Sequence, residues 1–593
     1  MKNVFTLFGK SINSNIFFFI LLTGIVFSLY GKARDYEFIY LDDTRLVSSN
    51  INFISDIKNL PKLFVKSCYY TTDTKDGYYR PVLSLSFALE VLLFGESSKV
   101  SHTTNIILYI LSIYLMYVFL LKLNLNRIIL KLSLLLLAVH PALASVSAWI
   151  AARNDSLLAV FVFLTLISFV SYIEKNKISY FWLTVYFFAV SIFTKESGVV
   201  LIILFPVLLC CLSKFEFKNI LKLYSAFLGI FIIYFILRKF VGISSWFSFN
   251  LKNVVIMLKN IFIGFVIYIN KLLIPADVPV CLFDFLPGIF SVAVAAACVI
   301  FLIIVYYKNF VNRKFLLFGI SFFIFYLLPT FFILQNLILF HRLLLPSAGM
   351  VLIFVLLIQK IIKCYPISKK YFLFLFAILF IIFVRGSYIQ ADKFKDNTAF
   401  TVNGYKSAPS YHVFLNGIAG IYTDMKDYDN ALIFLYKAEE YYNGYYINNI
   451  ATMLLYQKKF DQAEVLLKKS ININRHKEIA YANLSLLYEE KQDYKKSLEY
   501  AKKAYDENPY NIDLSVNLAR KYYLNKQYEQ AIKIYKDLLK IKKDAGYYYS
   551  IGVLYDKLNS KEQAFEYANK AVDLDGRNEK YRNFAKHLAV KDI

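Results

Sequence analysis

Long apolar runs fill the chain from about residue 14 to 390, and a periodic mixture of polar and apolar positions follows. The runs near 14–30, 102–121, 129–149, 156–173, 180–193, 197–212, 220–237, 289–307, 315–334, 343–360 and 371–388 predict membrane-spanning helices. Two of them, 180–193 and 197–212, are short for a ~30 Å hydrocarbon core and predict broken or tilted spans. The run 253–274 is interrupted by Lys259, Asn260, Asn270 and Lys271.

Charge between the runs sets their sidedness. Basic positions recur at Lys122/Arg127/Lys131, Lys175/Lys177, Lys214/Lys218/Lys222, Lys308/Arg313/Lys314 and Lys360/Lys363/Lys369/Lys370, besides Lys2 and Lys10. The positive-inside rule puts these in the cytoplasm. All fall on one side when 253–274 does not cross and lies at the interface or re-enters. Eleven spans then place the segment 31–101, the Arg153–Asp155 turn, Lys195-Glu196, Arg342 and the C-terminal tail on the opposite side. The N-terminal run lacks a small-residue cleavage site and reads as a retained first span.

The tail repeats. Ala431, Ala463, Ser497, Ala531 and Ala564 are separated by 32, 34, 34 and 33 residues, and Tyr422, Tyr488, Tyr522 and Tyr555 precede four of them by nine. That is tetratricopeptide spacing, in which small residues let paired helices approach and aromatics fill the space between pairs. The pattern predicts five repeats over about 412–576 and a capping helix over 579–590. The expected fold is therefore all-α: a polytopic membrane bundle over 1–390, a linker over 391–411, and a tetratricopeptide α-solenoid over 412–593.

Composition fits this division. Of 593 residues 58% are hydrophobic, and the mean hydropathy is +0.49. The formal charge of +25 punctuates apolar runs or lies on helical repeats, and forms no basic block with base-stacking aromatics, so nucleic acid is not an expected partner. Six cysteines without C-x-x-C spacing predict neither a zinc site nor a disulfide framework. The Lys/Asn/Ile/Tyr/Phe-rich usage is what an AT-rich genome encodes, which points to a bacterial cytoplasmic membrane rather than an endoplasmic reticulum.

Candidate chemistry gathers on the non-cytoplasmic side. The first outer segment holds Asp42, Asp43 and Tyr79-Arg80-Pro81, and the next span opens on His102 and Asn105. Further along come His140-Pro141, Arg153-Asn154-Asp155, Lys195-Glu196 and His341-Arg342. A charge at membrane depth costs ~2.5–3.5 kcal/mol on insertion scales, so several together imply a polar cavity. The competing reading makes Arg153, Asp155, Lys195 and Glu196 span-end residues reaching for headgroups. His140 before a proline can simply end a helix.

In this order, ending with Arg342 ahead of Pro346-Ser347 and a repeat tail, the motifs resemble the transmembrane-and-tetratricopeptide O-mannosyltransferase family. Its members belong to the membrane glycosyltransferases that use polyprenyl-phosphate sugars. Two positions depart from the family pattern: Leu143-Ala144-Ser145-Val146 follows His140-Pro141 without an acid, and His341 precedes Arg342 where an acid is expected. The resemblance implies inverting transfer of a hexose, mannose by analogy, to an acceptor hydroxyl of a protein Ser or Thr. Asp42 or Asp43 would be the general base, Asp42 placed first by analogy with relatives. Arg80, Arg153, Lys195 and Arg342 would stabilise the lipid phosphate, with Asp155 and Glu196 orienting them and His102 in the binding set. Two carboxylates can hold Mg²⁺ or Mn²⁺, but nothing else clusters as ligands, and neither metal nor cofactor is predicted. The expected partners are the polyprenyl-phosphate sugar and an acceptor protein held by the repeats. A non-catalytic scaffold presenting the repeats is the alternative, but an anchor needs one span; a lipid-sugar flippase or polymerase has no use for the acidic segment after the first span.

Overall fold

In the computed structural model the described residues are 12–590, apart from 41, 70–77, 213–216, 244–250, 333–336, 367, 474–476, 510 and 542. Lys2, Lys10 and Lys214 lie outside them. The chain divides into two compact units, Met1–Pro409 and Ser410–Ile593.

Fourteen helices among the described residues, with a further one at Asn397–Ser407, make up most of the first unit. They are α1 (Ile12–Tyr30), α2 (Pro81–Phe94), α3 (Ser98–Leu121), α4 (Arg127–Ala138), α5 (Ala144–Ala148), α6 (Arg153–Lys175) and α7 (Ile178–Thr194), followed by α8 (Val200–Cys211), α9 (Phe217–Phe240), α10 (Leu251–Leu273), α11 (Ile289–Tyr307), α12 (Arg313–Leu327), α13 (Pro346–Cys364) and α14 (Ser368–Ala391). A two-stranded antiparallel ribbon pairs β1 (Cys281–Phe283) with β2 (Leu337–Leu339). Local chemistry sets several ends. The Asn126 side chain caps α4 and the Asn312 side chain caps α12, and Asn176 closes α6 in the left-handed region at φ 50°. Gly319 of α12 and Gly349 of α13 face each other so closely that a Cβ on either would meet the other's carbonyl oxygen, which is why these two helices pack at backbone distance.

Nine helices among the described residues are long and apolar enough to cross a membrane. The pattern differs from the eleven expected runs in three ways. The run 129–149 is α4 and the segment 141–148, bent by 60°. His140 is extended there (φ −78°, ψ 124°) because Pro141 disfavours helix before it and cannot donate an N–H. The 17-residue α7 and 12-residue α8 fall short of that length, whereas α10, expected not to cross, is a continuous 23-residue helix that meets it. Two more readings change. Residues 81–94, taken as part of an outer loop, form the apolar α2 with proline at its first turn. Lys131, taken as a loop charge, is buried in α4 and donates to the Ser14 carbonyl and hydroxyl at 2.8 and 2.7 Å.

The second unit is five helix pairs followed by a last helix: His412–Asp424 with Tyr428–Tyr441, Ile447–Tyr456 with Phe460–Ile473, Lys477–Glu490 with Tyr494–Glu507, Ile512–Leu524 with Tyr528–Ile541, Ala545–Lys557 with Lys561–Leu574, then Glu579–Val590. In every pair the turn carries a left-handed residue, Lys426, Lys458, Gln492, Lys526 or Asn559, five positions before the small residue. Those small residues, Ala431, Ala463, Ser497, Ala531 and Ala564, are all fully buried. The period seen in the sequence is thus a period of turns and close contacts.

Candidate active site

Six separate segments of the first unit meet around a cavity of about 630 Å³. Asp42, Tyr69, Tyr78 and Arg80 come from the segment between α1 and α2. Trp149, Asn154 and Asp155 come from the entry to α6, and Lys195 and Glu196 from the α7–α8 turn. Arg238 and Lys239 end α9, Tyr326 and Thr330 follow from the end of α12, and His341 and Arg342 lie between β2 and α13. Apolar side chains, Leu46, Leu83, Phe235, Ile243 and Leu345 among them, complete the lining. The size is within the range of ligand pockets.

The charges are partly paired with each other. Arg80 donates from Nε and Nη2 to Glu196, the shortest contact being 2.9 Å, and its guanidinium lies 4.1 Å from the Tyr78 ring. Lys195 donates to both oxygens of Asp155 at 2.7 and 2.8 Å and to Asn154 at 2.9 Å, while His341 Nε2 stands 3.6 Å from Asp155. Burial pulls Lys195 down to about 8 from the usual lysine value, against the opposing pull of Asp155. Burial also pulls His341 down to about 3, so at neutral pH it is a neutral imidazole.

Four charged lining groups, Asp42, Arg238, Lys239 and Arg342, stand outside these ion pairs among the described residues. Asp42 is half-buried and accepts a hydrogen bond from the Tyr69 hydroxyl at 3.1 Å. Arg342 makes no ion pair among the described residues, and its buried Nη1 has no acceptor there. The indole Nε1 of Trp149, buried at the cavity wall, likewise has no acceptor among the described residues. A carboxylate that can take a proton therefore shares a cavity with a guanidinium that can take a phosphate.

Three of the expected residues lie elsewhere. Asp43 is fully buried and does not line the cavity; its Oδ2 accepts the Ile39 N–H at 3.1 Å and its Oδ1 the Ala151 N–H at 2.8 Å. Burial pushes its carboxyl up to about 8, against those two donors. Arg153, expected to face phosphate, is fully buried behind the cavity. It donates to Glu90 at 3.0 Å, to the Ser101 carbonyl at 3.0 Å and to Asn105 at 2.9 Å, and lies 3.9 Å from the Phe87 ring. His102 is buried edge-on to Tyr36 at 5.9 Å. Within the described residues no group of three His, Cys, Asp or Glu side chains is placed to hold a metal ion.

The sequence reading missed Glu90, Trp149, Arg238 and Lys239. Glu90 carried a signal, because it is the one charge within an apolar run that buries its face. Arg238 and Lys239 looked like ordinary last-turn cations, which suit a helix C-terminus without any ligand.

Residues 80–240 match the family described as dolichyl-phosphate-mannose-protein mannosyltransferase, a span that includes Arg80, Asp155, Lys195, Glu196, Arg238 and Lys239 of the cavity. Residues 445–477, 487–551 and 545–578 match tetratricopeptide repeat families. The chain joins a membrane mannosyltransferase-type domain to a tetratricopeptide array. No curated protein matches this chain. Solved structures similar to it include MamA from Desulfovibrio magneticus RS-1, 22% identical over 25% of this chain and 85% of that one, with a TM-score of 0.24. PilF of Pseudomonas aeruginosa is 17% identical over 32% and 89%, with a TM-score of 0.27. A thermophilic tetratricopeptide protein of Thermus thermophilus is 16% identical over 30% and 99%, with a TM-score of 0.25. At these scores they say nothing of what this chain binds.

Proposed function

We propose that the protein transfers a hexose, mannose by family analogy, from a polyprenyl-phosphate carrier to a Ser or Thr hydroxyl of an acceptor protein, with inversion, on the non-cytoplasmic face of its membrane. The observation that carries this reading is the pairing pattern of the cavity. Its other carboxylates, Asp155 and Glu196, are held in ion pairs, which leaves Asp42 as the base. Arg342, whose buried Nη1 has no acceptor among the described residues, is the guanidinium best suited to the phosphate.

The steps balance without a further reactant. Asp42 takes the proton from the acceptor hydroxyl as that oxygen attacks the anomeric carbon from the side opposite the phosphate. The bond from that carbon to the phosphate oxygen breaks, and the polyprenyl phosphate leaves with the electron pair. General-base assistance of this kind contributes ~10²–10⁴ in rate. Arg342, with Arg238 and Lys239 also lining the cavity, offsets the charge developing on the phosphate. The Trp149 N–H is available to a sugar hydroxyl, and Leu46, Leu83, Phe235, Ile243 and Leu345 suit the first isoprene units. Asp43 and Arg153 act behind the cavity. Asp43 fixes the turn carrying Asp42 to the Ala151 N–H, two residues before Arg153 anchors the start of α6.

Sidedness has support in helix length. From Asp155 to Lys175 α6 rises about 30 Å, the thickness of a hydrocarbon core. At that far end Lys122 pairs with Glu174 at 3.2 Å and Asn219 meets Asn176 at 3.1 Å, gathering the basic loops. Positive-inside orientation puts those loops in the cytoplasm and the cavity across the membrane. The ends of α9 (Arg238, Lys239) and α10 (Tyr268 and Leu272, bonded to Leu339 and His140) both belong to the cavity side. An α10 that does not cross keeps the repeats on the cavity's side.

The test is transfer by the purified protein from radiolabelled polyprenyl-phosphate mannose, and from its glucose counterpart, to a Ser/Thr peptide, with the product anomer assigned. Label on the hydroxyl with the anomer opposite to the donor's is expected. Absence of label from either donor, or retention, would remove this reading.

A further inference from the structure

Residues 392–407, expected only to join the membrane bundle to the repeats, are built into the first unit. They form a short turn, Asp392–Phe394, and a helix, Asn397–Ser407, capped by the Asp396 side chain, which accepts the Ala399 N–H at 2.7 Å. Alongside them lies Tyr36–Tyr40, the stretch that leads into Asp42, which has no helix or strand of its own. Backbone groups in such a stretch need partners from elsewhere. The Tyr36 hydroxyl donates to Asp392 at 2.6 Å, the Glu37 N–H to the Lys395 carbonyl at 3.0 Å, and the Tyr40 N–H to Asn397 Oδ1. Lys32 also pairs with Asp392, at 2.9 Å. The contacts advance together along both stretches, so the two run side by side in one direction.

The same segment backs the cavity wall. Phe394 and Phe400, both buried, pack on Trp149, with ring centroids 6.1 and 5.9 Å from the indole. These rings seat the helix, so Asn397, in its first turn, is a fixed point for Tyr40. Asp42 thus stands between two ties. After it, Asp43 accepts the Ala151 N–H; before it, Asn397 holds Tyr40. The Tyr40 side chain is 61% exposed, so burial does little to hold that residue and the backbone bond does more.

We propose that Asn397 is a positioning residue for the transfer: by accepting the Tyr40 N–H it fixes where the Asp42 carboxylate stands toward the acceptor hydroxyl. This role rests on the reading of Asp42 as the base, and it makes the segment between α14 and the repeats part of the active site. A displacement of about 1 Å at a reacting group costs up to ~10² in rate. The cations assigned to the phosphate, Arg342, Arg238 and Lys239, come from other elements, so donor binding does not depend on this bond.

Transfer by the full-length protein in detergent, from radiolabelled polyprenyl-phosphate mannose to a Ser/Thr peptide, is compared across variants of Asn397. N397A should lower kcat by about 10- to 100-fold with both KM values unchanged. N397L, which keeps the branched shape without an acceptor, should do the same and covers the case in which alanine disturbs the helix. N397D keeps an accepting oxygen and suits a helix N-terminus, so it should restore kcat. In Asp42→Asn protein, N397A should cost nothing more, because the base it places is gone. A merely structural role would lower transfer alike in both backgrounds. Wild-type kcat in N397A and N397L, N397D no better than N397A, or the same added loss in the Asp42→Asn background would overturn the positioning role and leave the proposed reaction in place. Wild-type transfer by Asp42→Asn itself would remove the base, and this role with it.

Discussion

Asp42 and Asp43 are neighbours in the chain and opposites in environment. Asp42 lines the cavity with one hydrogen bond, from Tyr69, while Asp43 is fully buried with both oxygens taken by the backbone N–H groups of Ile39 and Ala151. One helical turn, Asp42–Leu46, thus presents one carboxylate to the cavity and anchors itself with the next residue.

Asp43→Asn should lower transfer by placing Asp42 badly. An asparagine offers one accepting oxygen where two N–H donors arrive, and its own NH₂ would face one of them. The expected result is a kcat loss of about 10- to 100-fold, with a melting temperature lowered as well. Unchanged kcat and unchanged stability together would show that the buried carboxylate positions nothing.

Glu90→Gln should act on stability first. It leaves the fully buried Arg153 without its charged partner, and breaking a buried pair this way costs ~3–5 kcal/mol. Thermal unfolding in detergent reads this directly. A variant with wild-type stability would mean that Ser101 and Asn105 alone satisfy the guanidinium.

Arg342→Ala should raise the donor KM and lower kcat, by ~10²-fold or more in kcat/KM, while the acceptor KM stays put. Arg342→Lys keeps the charge and loses the fork, so it should recover only part of that loss. A change confined to the acceptor KM would move Arg342 out of the phosphate site.

Activity should fall on the alkaline side with a midpoint near pH 8, where Lys195 loses its proton and leaves Asp155 unmatched. Its value in the folded protein lies below that of the unfolded chain, about 10.4. Between the two the unfolded state holds more protons, so this group's contribution to stability rises with pH. The loss of activity there is therefore not unfolding. Lys195→Arg should carry the limb to higher pH; a limb that stays near 8 in that variant belongs to Asp43, whose carboxyl is also pushed up to about 8.

Periodicity explains which parts of this molecule could be read from sequence. The repeats were legible because one spacing encodes the buried alanines, the left-handed turn residues and the helix pairs together. Cavity residues such as Arg80, Lys195 and Glu196 were legible because charges at the ends of apolar runs are costly unless used. What sequence could not separate was burial: Arg153 and Arg342 look alike as letters, and only packing shows one enclosed by Glu90, Asn105 and Phe87 and the other with a free nitrogen. Helix ends were ambiguous for the same reason. Arg238 and Lys239 became cavity residues only once α9 lay against the segment of Tyr79, to which Tyr234 donates at 3.4 Å.

The most direct measurement is transfer by Asp42→Asn protein from labelled polyprenyl-phosphate donor to a Ser/Thr peptide, with membrane insertion and melting temperature compared with wild type. The account predicts a kcat lower by ~10²–10⁴-fold in a normally folded protein. Wild-type transfer by that variant would contradict it.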